Sequence, residues 1–321
     1  MGLARFLLRR IALGVVVMWA VATLVFVMYF VAPHDVARLL AGRQADPATV
    51  AAVARNLGLE RPIVDQYGSF IWRLLHANLG YSYTNSEPVT TLIGEAFPVT
   101  FSLALGGAVI WLLVGVAAGV LAATRRGKLF DRATTATALL FYSMPTFLLG
   151  ELLLLVLFYR LHLLGFDLFP GGGFVAFSAD PAGWAQHLLL PWLTIALVSA
   201  ATYARLTRAV LLEVLGEDYM RTAKAMGLSA SRVTIVHGLR AALGPIATQL
   251  GLDIGMLLGG VVVTETVFGL PGLGQLLVNS IDHQDLPTTI GLVLLASFFV
   301  VAANIVVDIA YVVIDPRVRL S

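Results

Sequence analysis

Six long apolar stretches, near residues 11–32, 99–123, 136–159, 188–204, 242–263 and 288–314, constrain this chain more than any other feature. Each is long enough to cross a hydrocarbon core about 30 Å thick, which takes roughly 20 helical residues. Backbone amides cannot be left unpaired in lipid, so a spanning segment is a helix or part of a closed barrel. Barrel strands are about ten residues long and alternate apolar with polar side chains, and these runs do not. The expected fold is therefore an all-α integral membrane protein with six transmembrane helices. The composition agrees: 59% of residues are hydrophobic and 12% charged, with a mean hydropathy of +0.87, far from a soluble domain.

Composition also removes function classes. With no Cys there are no disulfides, thiolate metal sites or cysteine nucleophiles, and the six His show no H-E-x-x-H pairing. No G-x-x-x-x-G-K-[ST] loop is present to cradle ATP phosphates. Gly171-Gly172-Gly173 lacks the Lys and reads as a flexible turn. No nucleophile stands beside a base and its orienter, so no catalytic residue and no cofactor or metal ligand is assigned.

Charge then orients the spans. Arg5, Arg9 and Arg10 precede the first run. Arg125, Arg126, Lys128 and Arg132 lie between the second and third, Arg205 to Arg240 around the fourth and fifth, and Arg317 and Arg319 after the sixth; the short opposite loops, 160–187 and 264–287, hold only Arg160. By the positive-inside rule both termini are cytoplasmic, with residues 1–10 and 315–321 as short tails. The run at 11–32 outlasts the 7–15-residue core of a signal peptide and is expected to stay as the first helix.

Residues 33–98 form a long external loop. Its Arg38, Arg43, Arg55, Arg61 and Arg73 do not overturn the topology, because the charge rule weakens in long loops. The loop reads as ordered: Asp46 caps a helix opened by Pro47, and Ile63, Tyr67, Phe70, Ile71, Leu74 and Leu75 repeat at helical spacing. That stripe lies on the outer membrane surface, roofs a pore entrance, or packs on neighbouring helix ends.

Between the fourth and fifth spans, residues 211–240 read as a compact knob on the water side. Glu217 and Asp218 suit the positive end of a helix dipole, and Gly227 is placed to stop the helix after about three turns. Ser229 then caps a second helix that carries Val233, Val236, His237 and Arg240 toward the membrane.

Polar groups inside the spans are few. Asp253 and Glu151 are ionisable residues at membrane depth, where such groups face protein or water. Asp253 lines a translocation path or makes an interhelical contact; Glu151 raises the same question in strongly apolar surroundings. Asn304 and Asp308 share one face and suit structural pairing with a nearby Arg. Gly251, Gly255 and Gly259, and Gly115 with Gly119, clear helix faces for close neighbours. Ser143-Met144-Pro145 interrupts the third span with a kink that serves gating or packing. The segment with Glu265, Phe268, Pro271, Gly272 and Gly274 is expected to fold back toward the pore mouth.

The knob resembles the EAA loop of binding-protein-dependent ABC importers, and specifically the first permease of the dipeptide, oligopeptide and nickel transport family. Tyr219, Arg221-Thr222-Ala223-Lys224-Ala225-Met226-Gly227-Leu228 and His237-Gly238-Leu239-Arg240 match its pattern, with Ala241 and Gly244 where the family often has Asn and Leu. Further landmarks follow in family order: Asn56-Leu57-Gly58-Leu59 with Pro62, Leu79-Gly80-Tyr81-Ser82, Pro98-Val99-Thr100, Ser143-Met144-Pro145-Thr146-Phe147, Glu265-Thr266-Val267-Phe268 with Pro271-Gly272-Leu273-Gly274, and Asp315-Pro316-Arg317.

The resemblance implies the ABC importer permease fold in a bacterial cytoplasmic (inner) membrane. The implied partners are a homologous second permease, two ATPase domains or subunits that use ATP and Mg, an extracytoplasmic substrate-binding protein and membrane lipid, with no nucleic acid. Glu217, Asp218, Tyr219, Arg221, Thr222, Ala223, Lys224, Ala225, Gly227 and Leu228 would couple to the ATPase, while Asp253, Pro145 and Glu265 are candidates for the translocation path. The implied solute is a short peptide, with nickel or another small solute as the alternative. An ion-coupled secondary transporter is the remoter one; it would show inverted repeats, which the chain does not.

Overall fold

The computed structural model describes residues 3–31, 37–38, 46–56, 58, 60–259 and 261–314. Arg43, Leu57, Leu59 and the 315–321 tail, with Asp315-Pro316-Arg317 and Arg319, lie outside the described residues. Within them the regular secondary structure is helix apart from one isolated bridge between Tyr81 and Pro88, and six helices are long and apolar enough to cross a membrane.

Helix α1 (Leu3–Phe26) winds on as a π-turn through Val27–Val31. It starts ahead of the apolar run because its Arg residues are good helix formers. Arg10 also reaches Asp308 at 3.1 Å, the expected pairing of that carboxylate. In the following loop, α2 (Pro47–Asn56) opens under Asp46, whose carboxylate accepts the Thr49 hydroxyl and whose carbonyl accepts the Val50 amide at 3.1 Å. The Thr49 hydroxyl holds the Asp46 carboxyl below its ordinary range. Helix α3 (Ile63–Leu75) turns Tyr67 and Phe70 onto Phe26, with ring centroids 5.2 and 5.6 Å apart, and Ile290 and Leu294 close the cluster. The apolar stripe therefore packs on the ends of the first and last spans, although Ile63 and Leu75 at its tips stay exposed.

The centre is the pair α4 (Val89–Thr124) and α7 (Pro181–Gly216), each of 36 residues and about 54 Å long. Glycines let the two backbones touch. A Cβ on Gly115 would lie 2.9 Å from the Ala200 carbonyl, and one on Gly119 2.7 Å from that of Ala204. Around this seam Leu103, Trp111, Leu188, Tyr203 and Leu211 are fully buried, and the Trp192 indole N–H donates to the Ser102 carbonyl at 3.0 Å.

The third run is not one kinked helix. Helix α5 (Leu129–Ser143) ends before Met144, whose ψ of 126° is extended, and α6 (Thr146–Leu163) starts after Pro145. Proline lacks the amide needed to continue the ladder and pushes the preceding residue out of helical geometry, so the sequence breaks the helix outright.

After α7 come α8 (Asp218–Ala225) and α9 (Ala230–Leu258), the latter carrying a π-turn over Val233–Leu239. Gly251, Gly255 and Gly259 lie against Val307, Ala303 and Ala296 of α12 (Leu286–Ile314), the close crossing their spacing predicts. Between α9 and α12, the short α10 (Val262–Val267) and α11 (Leu273–Asp282) form a re-entrant hairpin that buries Phe268 and Leu270 in the main core. The Gly171–Gly173 turn is pinned on it, since Gly173 donates to the Phe268 carbonyl at 3.0 Å. Asp285, at 1% exposure, closes that end by accepting the Ser82 and Thr288 hydroxyls and the Tyr83 amide. The start of α1, the knob and the end of α12 share the opposite end of the bundle.

Candidate functional site

The knob is built by a change of backbone direction at Glu217. Its ψ of 149° ends α7, and its carbonyl accepts the Met220 and Arg221 amides at 3.1 and 3.3 Å, starting α8. Eight residues later the helix stops, a little over two turns rather than three. Gly227 takes φ of +83°, where its amide bonds the Lys224 carbonyl at 3.0 Å and the Leu228 amide bonds that of Ala223 at 3.4 Å. This is a Schellman closure, which favours glycine because a Cβ is strained at positive φ. Ser229 then accepts the Arg232 amide at 3.4 Å and caps the next helix.

Met220 fixes the knob to the membrane helices. It is fully buried, and Gly238 makes room for it: a Cβ there would lie 2.9 Å from Leu211 and 3.3 Å from the Met220 methyl. The opposite surface is open. Tyr219 is 51% exposed and Met226 77%, and Ile235 and Val236 on the next helix are exposed too. Asp218, Arg221, Lys224 and Ala225 are exposed, Ala223 and Leu228 half-buried, and Thr222 donates to the Asp218 carbonyl at 3.0 Å. The Asp218–Arg221 pair at 3.5 Å is solvated and contributes little. The knob thus combines two properties, rigid attachment to the membrane helices and an exposed apolar and aromatic face.

These two properties occur in a chain whose two parts match family models for transporter membrane components. Residues 115–320 match the binding-protein-dependent transport system inner membrane component, and residues 3–104 its N-terminal membrane component. The chain belongs to this family. It is 42% identical over 313 residues to a protein of Brucella abortus (strain 2308) named "Putative peptide transport system permease protein", covering 98% of both chains. It is 39% identical over 332 residues to the di/tripeptide transport system permease protein DppB of Pseudomonas aeruginosa (strain UCBPP-PA14), again covering 98% of both. Among solved structures, an inward-facing form of the MetNI methionine ABC transporter matches with a TM-score of 0.55 at 20% identity, over 72% of this chain and 99% of that one. That likeness shows the fold. As a binding-protein-dependent permease, the chain is the multi-pass inner-membrane component of its system and not the catalytic one.

The permease's candidate path residues occupy different settings. Pro145 sits exposed at the α5–α6 break. Asp253, half-buried, accepts the Tyr203 hydroxyl at 2.8 Å and the Gln249 amide at 2.9 Å. Glu265 is fully buried: the Thr100 hydroxyl donates to its Oε1 at 2.6 Å and the Gln275 amide to its Oε2 at 2.9 Å. Thr100 also accepts the Leu273 amide at 2.8 Å, so Glu265 and Thr100 clasp the hairpin to α4. A Cβ on Gly272 would strike the Glu265 carboxylate at 2.3 Å. No hydrogen bond joins these three candidates among the described residues.

Three residues have roles that the sequence does not assign. Met220 carried a signal, a lone large apolar side chain in a polar helix. Thr100 could be read as part of the Pro98-Val99-Thr100 landmark, but not its partner, which is 165 positions away. Asp131 pairs with Arg208 through Nε and, at 2.9 Å, Nη2, and accepts the Gly127 amide at 2.8 Å; its signal was an acidic residue in a basic turn.

Proposed function

We propose that this permease passes short peptides, delivered by an extracytoplasmic binding protein, through a path shared with a second, homologous permease. One of two ATPase domains grips this chain's knob from the cytoplasm, and their closure rocks the spans between inward-open and outward-facing states. Both chain termini lie on that side. The reading rests above all on the knob's construction: an exposed helix, stopped at Gly227 and rooted through Met220, in a chain whose relatives are named for peptide transport. A lever must be short and stiff, because a loose loop would dissipate the motion. In this reading the α5–α6 break at Pro145 and Asp253 border the path, while Glu265 holds the hairpin that closes its mouth.

The test is uptake by the complete complex in proteoliposomes, with labelled di- and tripeptides supplied through the binding protein. Wild type is expected to accumulate peptide only with ATP, and the double variant Glu217→Ala, Gly227→Pro to lose uptake while the subunits still assemble. Accumulation driven by an ion gradient without the ATPase chains would overturn the proposal.

A further inference from the structure

The carboxylate of Glu151 stands where lipid cannot receive it. On one side of α6, Leu149 and Gly150 are buried, and Gly150 faces Val267, Phe268 and Thr194. Thr194 is close to the middle of the 36-residue α7, and Glu151 is about 18 Å from the Leu163 end of its own span at about 1.5 Å per residue. In a hydrocarbon core about 30 Å thick, both estimates put Glu151 near the midplane. On the other side of α6, Glu151 is exposed in a stripe with Phe147, Leu148, Leu152 and Leu155.

Two other charged side chains well inside the spans have a neighbour that takes up their charge, although the Arg205 Nε is buried without a hydrogen-bond partner among the described residues. Asp253 is held by Tyr203 and Gln249, and the Arg205 guanidinium lies 4.4 Å over the Tyr142 ring. Glu151 has no hydrogen bond or ion pair among the described residues. A second observation points to the same face. The break at Pro145 lies about 9 Å toward the knob from Glu151, still inside the core. There Ser143 and Pro145 are exposed, and the first turn of α6 has no side-chain cap. Irregular backbone at this depth is tolerated only inside protein or beside water. A Lys or Arg from a neighbouring subunit would satisfy the carboxylate, but having only donors it could not satisfy the free amides. Water serves both.

Resting on the peptide-permease reading above, we propose that the Glu151 face of α6 lines the water-filled solute path and that its carboxylate receives the ammonium group of the passing peptide. The absence of Cys makes the test direct. Single variants Glu151→Cys, Phe147→Cys and the buried control Leu149→Cys are assembled into the full complex and treated with a water-soluble, positively charged methanethiosulfonate. The first two are expected to react and Leu149→Cys to stay inert, with saturating dipeptide slowing Glu151→Cys labelling. In uptake, Glu151→Gln is expected to lose about tenfold, the size of one charge-assisted hydrogen bond, and Glu151→Asp to keep most activity. Assembly, read by co-purification of the subunits, should not change. Glu151→Cys that reacts in the isolated chain but not in the complex would mean that the second permease covers this face, and would overturn the proposal. So would full uptake by Glu151→Gln. Failure of the underlying reading looks different: wild type would take up no peptide although Glu151→Cys still reacts, and the ammonium assignment would fall with it.

Discussion

Asp131 carries electrostatic weight that its exposed neighbours do not. At 5% exposure it receives two donors from Arg208 and the amide of Gly127, tying the start of α5 to α7. The Arg208 guanidinium beside it, and then the Gly127 amide, hold its carboxyl at about 2, below the ordinary value of 3.8. A depressed carboxyl pKa contributes stability that is complete above the unfolded value and is lost as pH falls through the folded one. The solubilised complex should therefore lose thermal stability between about pH 4 and pH 2. Asp131→Asn should lower Tm at neutral pH and flatten that part of the profile. Identical profiles for the two proteins would show that the pair contributes nothing. At this scale the sequence was only partly legible. The pairing of Asp308 with an Arg and the capping by Ser229 and Asp46 could be read because each is local or chemically obvious. Thr100 with Glu265, and Ser82 with Asp285, join residues far apart in the chain, and nothing in either neighbourhood names the partner.

Among elements, glycine spacing was the most legible signal, and the proline interruption of the third span was legible as a kink but not as a full break. Gly115 with Gly119, and Gly251 with Gly255 and Gly259, stand four apart, which places them on one helix face whatever the tertiary structure. Their neighbours, α7 and α12, emerged only from the fold. The apolar pattern of 136–159 runs on through Pro145, so the proline reads as a kink within one span, whereas the backbone breaks there. The knob was overestimated by about a turn, because Met226 and Gly227 turn back into a Schellman closure instead of extending α8. Gly119 gives the sharpest test of close approach, since a Cβ there would lie 2.6 Å from Thr207 Cβ and 2.7 Å from backbone oxygen that cannot swing away. Gly119→Val is expected to destabilise the protein by about 1–3 kcal/mol, the usual range for overpacking, seen as a lower Tm and reduced yield. Gly94→Ala, with nothing within 4 Å, should leave Tm unchanged or raise it. Equal stability of Gly119→Val and wild type would mean that α4 and α7 can separate without cost.

For the whole molecule, the question is how motion at the knob reaches the spans. The knob touches the rest of the chain through α7, which continues directly from Glu217, and through α9, which begins at Ala230. Met220 bridges them, seated against Leu211 of α7 and Gly238 of α9, with buried Val233 and Thr234 on the same turn. In the proposed mechanism it is the point at which a push on α8 would be shared between two spans. Met220→Ala leaves the exposed face of Tyr219 and Met226 intact while opening a cavity behind it, at a cost of about 2–5 kcal/mol when a buried Met is truncated. Part of that loss falls on the knob's seating, so ATPase chains should still bind while ATP hydrolysis proceeds with little peptide uptake. Tyr219→Ala should do the opposite, weakening ATPase binding while the knob stays seated. Paired measurements of ATPase co-purification and of peptide moved per ATP separate the two variants. If Met220→Ala kept the wild-type ratio of uptake to hydrolysis, the force would be passing through the continuous α7 backbone alone, and the second attachment would be structural.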